Sequence, residues 1–487
     1  MAGIETPPIG VPAARKEPEA ASARARSAAD EREAALRRAA EIGLEFLRSL
    51  PQRHVGARLD ASAIRERLGG ALPTQGLDPT RVIEELAEAV DPGLVASAGP
   101  RYYGFVIGGA LPAAAAADWL TGAWQQNAAL HVLSPAAAAA EEVAGAWMLE
   151  LLGLPPTASV GLPTGAGLGN AVGLAAARHA VLERAGWDVE SHGLFDAPRI
   201  AVIIGEEAHA TLLTALGYLG LGRDRVIRVP TDDQGRMRAD TAIEALRQAD
   251  GPAIVALQAG NVNTGAFDPA GPIVEAARAH PNAWVHVDGA FGLWAATVPR
   301  LRHLVEGVDG AHSWATDAHK WLNAGYDCGF VAVRDPNAHR AAMAASAAYL
   351  MRSDLRENWE YVLDSSRRAR GFALYAAIRS LGRLGIAAMV ERCCDLAARM
   401  AEQLAAVDGV DVLNDVVLNQ VLVRFDEDDE RTRHVIERVQ AEGVAWLGGT
   451  TWHGKAAMRI SVSNWSTTEQ DADATVESIR RAFGAGP

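Results

Sequence analysis

Residues 313–329 read SWATDAHKWLNAGYDCG, and Lys320 within them carries the strongest chemical signal in the chain. A lone lysine in a loop is usually a solvated charge. Lys320 differs in lying in a cation-poor stretch between His319 and Trp321. A partly desolvated amine there can lose its proton near neutral pH and attack a carbonyl. Asp288 ends the run AWVHVD. A carboxylate at the end of a buried strand points into a ligand crevice and can pair with a protonated ring nitrogen, although alone it reads as readily as a helix cap or an ion pair. The glycine-rich turn TGAGLGN, residues 164–170, opens a helical run. Unshielded N–H groups at a helix N-terminus make a phosphate site. The turn lacks the GxGxxG spacing and no clean strand precedes it, which argues against a dinucleotide-binding turn. His209, in GEEAHAT just after the strand-like RIAVII, can stack on a planar ring, while a core or capping histidine is the commoner case.

These residues need elements to hold them. Residues 1–28 are rich in Pro, Ala and charge without apolar periodicity, and read as a disordered tail. The spacing of Leu36, Ala39, Ile42, Leu44, Phe46 and Leu47 predicts a helix over 29–50, stopped by Pro51. A second helix is expected over 79–90, ended by Asp91-Pro92-Gly93. The segment 29–100 is thus helical and too small to fold well alone, so it is expected to pack elsewhere on the protein or on a partner subunit. Over 101–370, short apolar runs at 199–204, 226–229, 253–257 and 283–287 alternate with helical stretches such as 171–185 and 242–249. That alternation predicts an α/β domain with a mostly parallel sheet, whose strands feed loops at their carboxyl ends. Residues 371–487 read as a long helical section and a smaller α+β domain, with strands at 419–425 and 457–463.

Composition narrows the function classes. The chain has 487 residues, 49% hydrophobic and 22% charged, an ordinary globular balance. Its net charge of −14 argues against a nucleic-acid-binding surface. Cys328, Cys393 and Cys394 have neither disulfide-framework nor metal-ligand spacing. No metal site, membrane association or signal peptide is expected, and the default setting is cytoplasmic.

An amine, a ring-nitrogen carboxylate, a phosphate turn and a stacking imidazole are together what pyridoxal 5'-phosphate requires. On these residues the chain resembles the group II pyridoxal-phosphate-dependent decarboxylases, which include the aromatic-L-amino-acid, glutamate and histidine-type enzymes. HVDGAFG is similar to the family's HVDAAYG, and DAHKWLNAGYDCG to DPHKWLNVPYDCG. LSPAAAAAEEVAGAWMLELLGLP and SSRRARGF also resemble family segments, and the likeness runs over roughly 42–481. The resemblance implies a fold-type I architecture, with a large seven-stranded-type sheet and a small C-terminal domain. It makes Lys320 the Schiff-base lysine, Asp288 the pyridinium partner and His209 the ring-stacking residue. Ala290 becomes the small residue near the ring's other face, with Ala166, Gly167, Asp317 and His319 around the cofactor. The chain departs from the family where Gly167 and Leu168 replace the Ser and Glu of the phosphate turn, which leaves the phosphate more to backbone amides. It departs again where Asn261 lies in a Gly-Asn-Val-Asn run in place of Thr-Thr, with a role near the cofactor left open.

The cofactor alone does not fix the reaction. By resemblance, Tyr349 is the mobile-loop tyrosine that protonates the substrate carbon after CO2 leaves; relatives that make aldehydes oxidatively commonly carry Phe there. The expectation is a decarboxylase that converts an L-amino acid to its amine, acting as a homodimer. By position, Phe105, Val106, Trp124 and His131 would line the substrate pocket, an apolar wall suited to an aromatic substrate. The alternatives are an oxidative aldehyde synthase, another α-carbon lyase, or a PLP-binding regulatory protein without turnover.

Overall fold

The structure is a computed structural model that describes residues 18–344 and 355–485, with side chains from residue 30 onward. Its described residues fall into two compact units, Met1–Arg53 with Ala57–Val95, and His54–Gly56 with Ala96–Pro487. In the first unit, α1 (Pro18–Ser49), α2 (Ala61–Leu68) and α3 (Pro79–Val90) follow one another. Asp60 and Asp78 cap α2 and α3, each accepting a backbone N–H. Helix α1 begins inside the stretch read as a disordered tail. Its Ala, Arg and Glu content favours helix even where no apolar stripe is present.

In the second unit the apolar runs become a seven-stranded sheet. Its strands are β1 (Ser159–Gly161), β2 (Ala201–Gly205), β3 (Ile227–Val229), β4 (Ala253–Gln258), β5 (Ala283–Asp288), β6 (Ser313–Asp317) and β7 (Gly329–Val333). The spatial order is β1-β7-β6-β5-β4-β2-β3, parallel except where β7 runs antiparallel to β1 and β6. β4 and β5 are buried along their whole length, which explains their near-continuous apolar sequence. Helices α4 (Pro112–Trp124), α5 (Pro135–Leu151) and α6 (Ala166–Arg184) precede β2. The short β1 does precede the glycine turn, contrary to the sequence reading; three residues are too few to show a period.

A second sheet, in the order β10-β11-β9-β8, is built from β8 (Val410–Val412), β9 (Gln420–Phe425), β10 (Gly448–Trp452) and β11 (Lys455–Ser461). It belongs to the same compact unit as the large sheet. The connecting helix Gly371–Ala405 is, among the described residues, long and apolar enough by composition to cross a membrane. It is broken at Gly382 (φ 61°) and buries Leu374, Ile386, Val390 and Met400 in the core.

Candidate active site

The parallel strands place the chemistry at their carboxyl ends. Asp288 is the last residue of β5 and is 5% exposed. Lys320 lies in the turn just after β6, its amine 3.0 Å from Asp317 Oδ2. The other Asp317 oxygen accepts the Ala166 N–H at 2.6 Å, tying the lysine turn to the N-terminus of α6. His319 Nε2 stands 3.6 Å from Asp317 Oδ1, and the His319 ring stacks on Tyr326 at 4.4 Å. The loop before α4 lies on the lysine turn, where a Cβ at Gly108 would come within 1.8 Å of the Lys320 carbonyl oxygen. Asn323, in left-handed conformation, accepts the Gly109 N–H at 2.6 Å and donates to the Ser463 carbonyl at 3.0 Å. It thereby joins the lysine turn to the segment that follows the small sheet.

His209 is the N-cap of the helix Ala210–Tyr218, its Nδ1 2.7 Å from Thr211 Oγ1. It therefore caps a helix and also lines one cavity with Asp288, Ala208 and Leu212. Burial holds its imidazole below the usual pKa; Asp288 opposes this, and Lys320 and Arg459 add to it. Burial pushes the Asp288 carboxyl up, against the pull of His209, Lys320 and the Asn170 amide. Asn170 Nδ2 donates to Asp288 Oδ2 at 2.9 Å, and the Ala290 N–H donates to Asp288 Oδ1 at 3.3 Å.

The remaining expected residues are spread more widely. Asn261 spends its carbonyl oxygen on its own turn, accepting from the Asn263 and Thr264 N–H groups, and its amide donates to Glu207 O at 3.5 Å. Phe105 and Val106 both adopt positive φ; Val106 is buried, while Phe105 is 60% exposed and stacks on Trp446. Trp124 packs edge-on against Phe372 at 5.1 Å, and the His131 N–H donates to Glu357 at 2.7 Å. These contacts tie Trp124 and His131 to other elements than the lysine turn. Tyr349 lies outside the described residues. Sequence reading passed over Asn170, His286, Tyr102, Trp446 and Arg459. The signal for the first two is a polar residue inside an apolar run; the aromatic and arginine residues carry none.

Residues 63–426 match the family described as "Pyridoxal-dependent decarboxylase conserved domain". The chain belongs to this family. Over 93% of its length it is 27% identical to tryptophan decarboxylase 1 of Oryza sativa subsp. japonica, covering 94% of that protein. It is 28% identical to the acidic amino acid decarboxylase GADL1 of Xenopus tropicalis, over 69% of this chain and 66% of that one. The crystal structure of Oryza sativa TDC with PLP and tryptamine superposes with a TM-score of 0.87 at 24% identity, covering 94% of this chain and 98% of that one. Mouse CSAD gives 0.85 at 22% identity, over 93% and 98%. These structures show a shared fold, the fold-type I architecture.

This decarboxylase uses pyridoxal phosphate and acts on an amino acid. Its residues fit the cofactor. The N-cap of α6, Gly165, supplies no side chain, so helix geometry leaves the Gly167 and Leu168 N–H groups for an acceptor from outside. A Cβ at Gly165 would come within about 3.3 Å of both the His319 ring and the Asp317 carboxylate, so a larger residue would crowd the turn.

Proposed function

We propose that this enzyme decarboxylates an aromatic or other apolar L-amino acid to its amine. The observation that carries the substrate class is the aromatic wall beside the lysine turn, where Trp446 stacks between Tyr102 at 5.1 Å and Phe105 at 5.6 Å. In this reading Lys320 holds the cofactor covalently, Asp288 faces its ring nitrogen and His209 covers the ring. The Gly167 and Leu168 N–H groups take the phosphate. When bound, the cofactor supplies an electron sink for the carbon that loses CO2. Arg459 suits the substrate's α-carboxylate: it makes no carboxylate ion pair among the described residues and donates to the Val262 carbonyl at 3.3 Å. Its charge acts on both Tyr102 and His209.

The same arginine favours a second reading, an acidic side chain on the substrate. Amine release from L-tryptophan, L-tyrosine, L-leucine, L-aspartate and L-glutamate separates the two, and turnover confined to the acidic substrates overturns the first. Simple rather than oxidative decarboxylation rests on Tyr349. Tyr349→Phe should cut amine formation by about 100- to 10,000-fold and raise the ratio of aldehyde to amine under air. An unchanged ratio and rate would make Tyr349 a bystander.

We also propose a homodimer. Trp119, Leu120, Trp124, Val132 and Leu133 are each about half exposed or more, and large apolar side chains left exposed close together in the chain favour an interface over open water. Sedimentation that gives a fully active monomer would overturn this.

A further inference from the structure

Asn170 sits wholly buried on the otherwise apolar inner face of α6, and His286 sits wholly buried in the middle of β5. Both belong to one chain of hydrogen bonds ending at Asp288. Trp284 Nε1 donates to Ser313 Oγ at 2.9 Å, and Ser313 Oγ meets His286 Nδ1 at 2.8 Å. His286 Nε2 meets Asn170 Oδ1 at 2.9 Å, and Asn170 Nδ2 donates to Asp288 Oδ2 at 2.9 Å. A Cβ at Gly173 would come within 2.6 Å of the His286 ring, so that glycine, one turn after Asn170, makes room for the imidazole.

The direction of the chain follows from what each group can do. An indole N–H only donates, so Ser313 Oγ accepts there. The serine's single proton goes to His286 Nδ1 at 2.8 Å in preference to the Gly173 carbonyl at 3.5 Å. Nδ1 is then an acceptor, and the neutral ring carries its proton on Nε2, which donates to Asn170 Oδ1. Burial keeps that ring neutral, holding its pKa down to about 3. The amide is left with its NH2 toward Asp288. The opposite register would set Asn170 Oδ1 against a carboxylate oxygen, two acceptors face to face unless Asp288 were protonated.

We propose that Trp284, Ser313, His286 and Asn170 form a one-way relay of donors that holds Asp288 as an oriented, ionised carboxylate and so keeps the proton on the cofactor's ring nitrogen. Asn170 and His286 are positioning residues that act through Asp288. The inference rests on the assignment of Asp288 to that nitrogen. An interior network whose members are all satisfied fixes one geometry, whereas a missing member leaves a buried group unpaired.

The test is nitrogen-15 NMR of the holoenzyme reconstituted with ring-labelled pyridoxal phosphate, which reads ring protonation without turnover. The wild type should show a protonated ring nitrogen. Asn170→Ala should move the signal toward neutral pyridine and weaken cofactor binding by roughly 10- to 100-fold, as for a lost hydrogen bond to a charged group. Asn170→Asp keeps the volume but sets an acceptor against Asp288, and should move the signal further. Ser313→Ala frees the His286 tautomer and should move it the same way by less. If Asn170→Ala does not fold by circular dichroism, the other two variants carry the test. A protonated wild-type ring with folded variants that leave the signal in place overturns the relay alone. A wild-type ring that is not protonated overturns the Asp288 assignment and the relay together.

Discussion

The floor of the pocket and its mouth are built by opposite means. On the floor, Asp288, Asn170, His286 and Ser313 are at most 5% exposed, and a hydrogen-bond partner is present for each. At the mouth, Phe105 is 60% and Tyr326 59% exposed, and the contacts are ring stacks. A buried polar network tolerates one arrangement because any lapse leaves an unpaired group in low dielectric. A half-exposed aromatic wall loses little when a ring turns or is replaced. Under the proposed roles the floor serves the reaction and the mouth the choice of substrate, so substitutions at the two should differ in size and in the kinetic parameter they move.

The largest effect is expected where the two regions meet. Lys320→Ala removes the amine that Asp317 holds at 3.0 Å. Turnover should fall by about 10,000-fold or more, as for other covalent nucleophiles, and borohydride should no longer fix the cofactor to the protein. Cofactor fixed to the variant by borohydride would show that another residue is the anchor.

Next comes the floor itself. Asp288→Asn keeps the shape and removes the charge, and should lower kcat by about 100- to 1,000-fold, the size typical of a lost preorganised electrostatic contact. KM should change little, because in the proposed role the carboxylate serves the cofactor and not the substrate side chain. A rise in KM with kcat unchanged would place Asp288 at the mouth and erase the contrast drawn above.

Legibility in the sequence divides along the same line. Strands β2, β4 and β5 were readable because burial along nearly their whole length makes them near-continuous apolar runs, and Asp288 was readable because it ends one; Lys320 was readable from its motif and its cation-poor surroundings. β7 was not placed as a strand, and β6 was read only as part of the lysine motif. SWATD and GFVAV are short and carry no period that separates them from loop or helix. The floor's Asn170 and His286 left a trace, one polar residue within each apolar run, but what pairs them is the crossing of α6 over β5 and β6. The mouth left no trace of that kind. Tyr102 with Phe105, Tyr326, and Trp446 with Arg459 come from three distant segments; Phe105 was named only by resemblance, and no spacing announces that they converge. Positive φ at Phe105 and Val106, residues that rarely adopt it, is likewise a feature that no apolar period signals.

The smallest expected effect is the one that tests the mouth. Phe105→Ala removes a ring that is mostly in water and is held by one stack on Trp446 at 5.6 Å, so the fold should lose little. An aromatic substrate would lose one face of its apolar contact, and KM for it should rise by roughly tenfold, about 1.4 kcal/mol. The kcat should stay within a few-fold, since the stack contributes equally before and during the chemical step. An aliphatic substrate such as L-leucine should suffer less, because it gains area but no ring stacking from Phe105. The comparison is kcat and KM for L-tryptophan and L-leucine in wild type and variant. Equal losses for both would mean that the wall selects by size alone. A large fall in kcat with KM unchanged would move Phe105 from the mouth to the reacting centre, and the division between floor and mouth would fail.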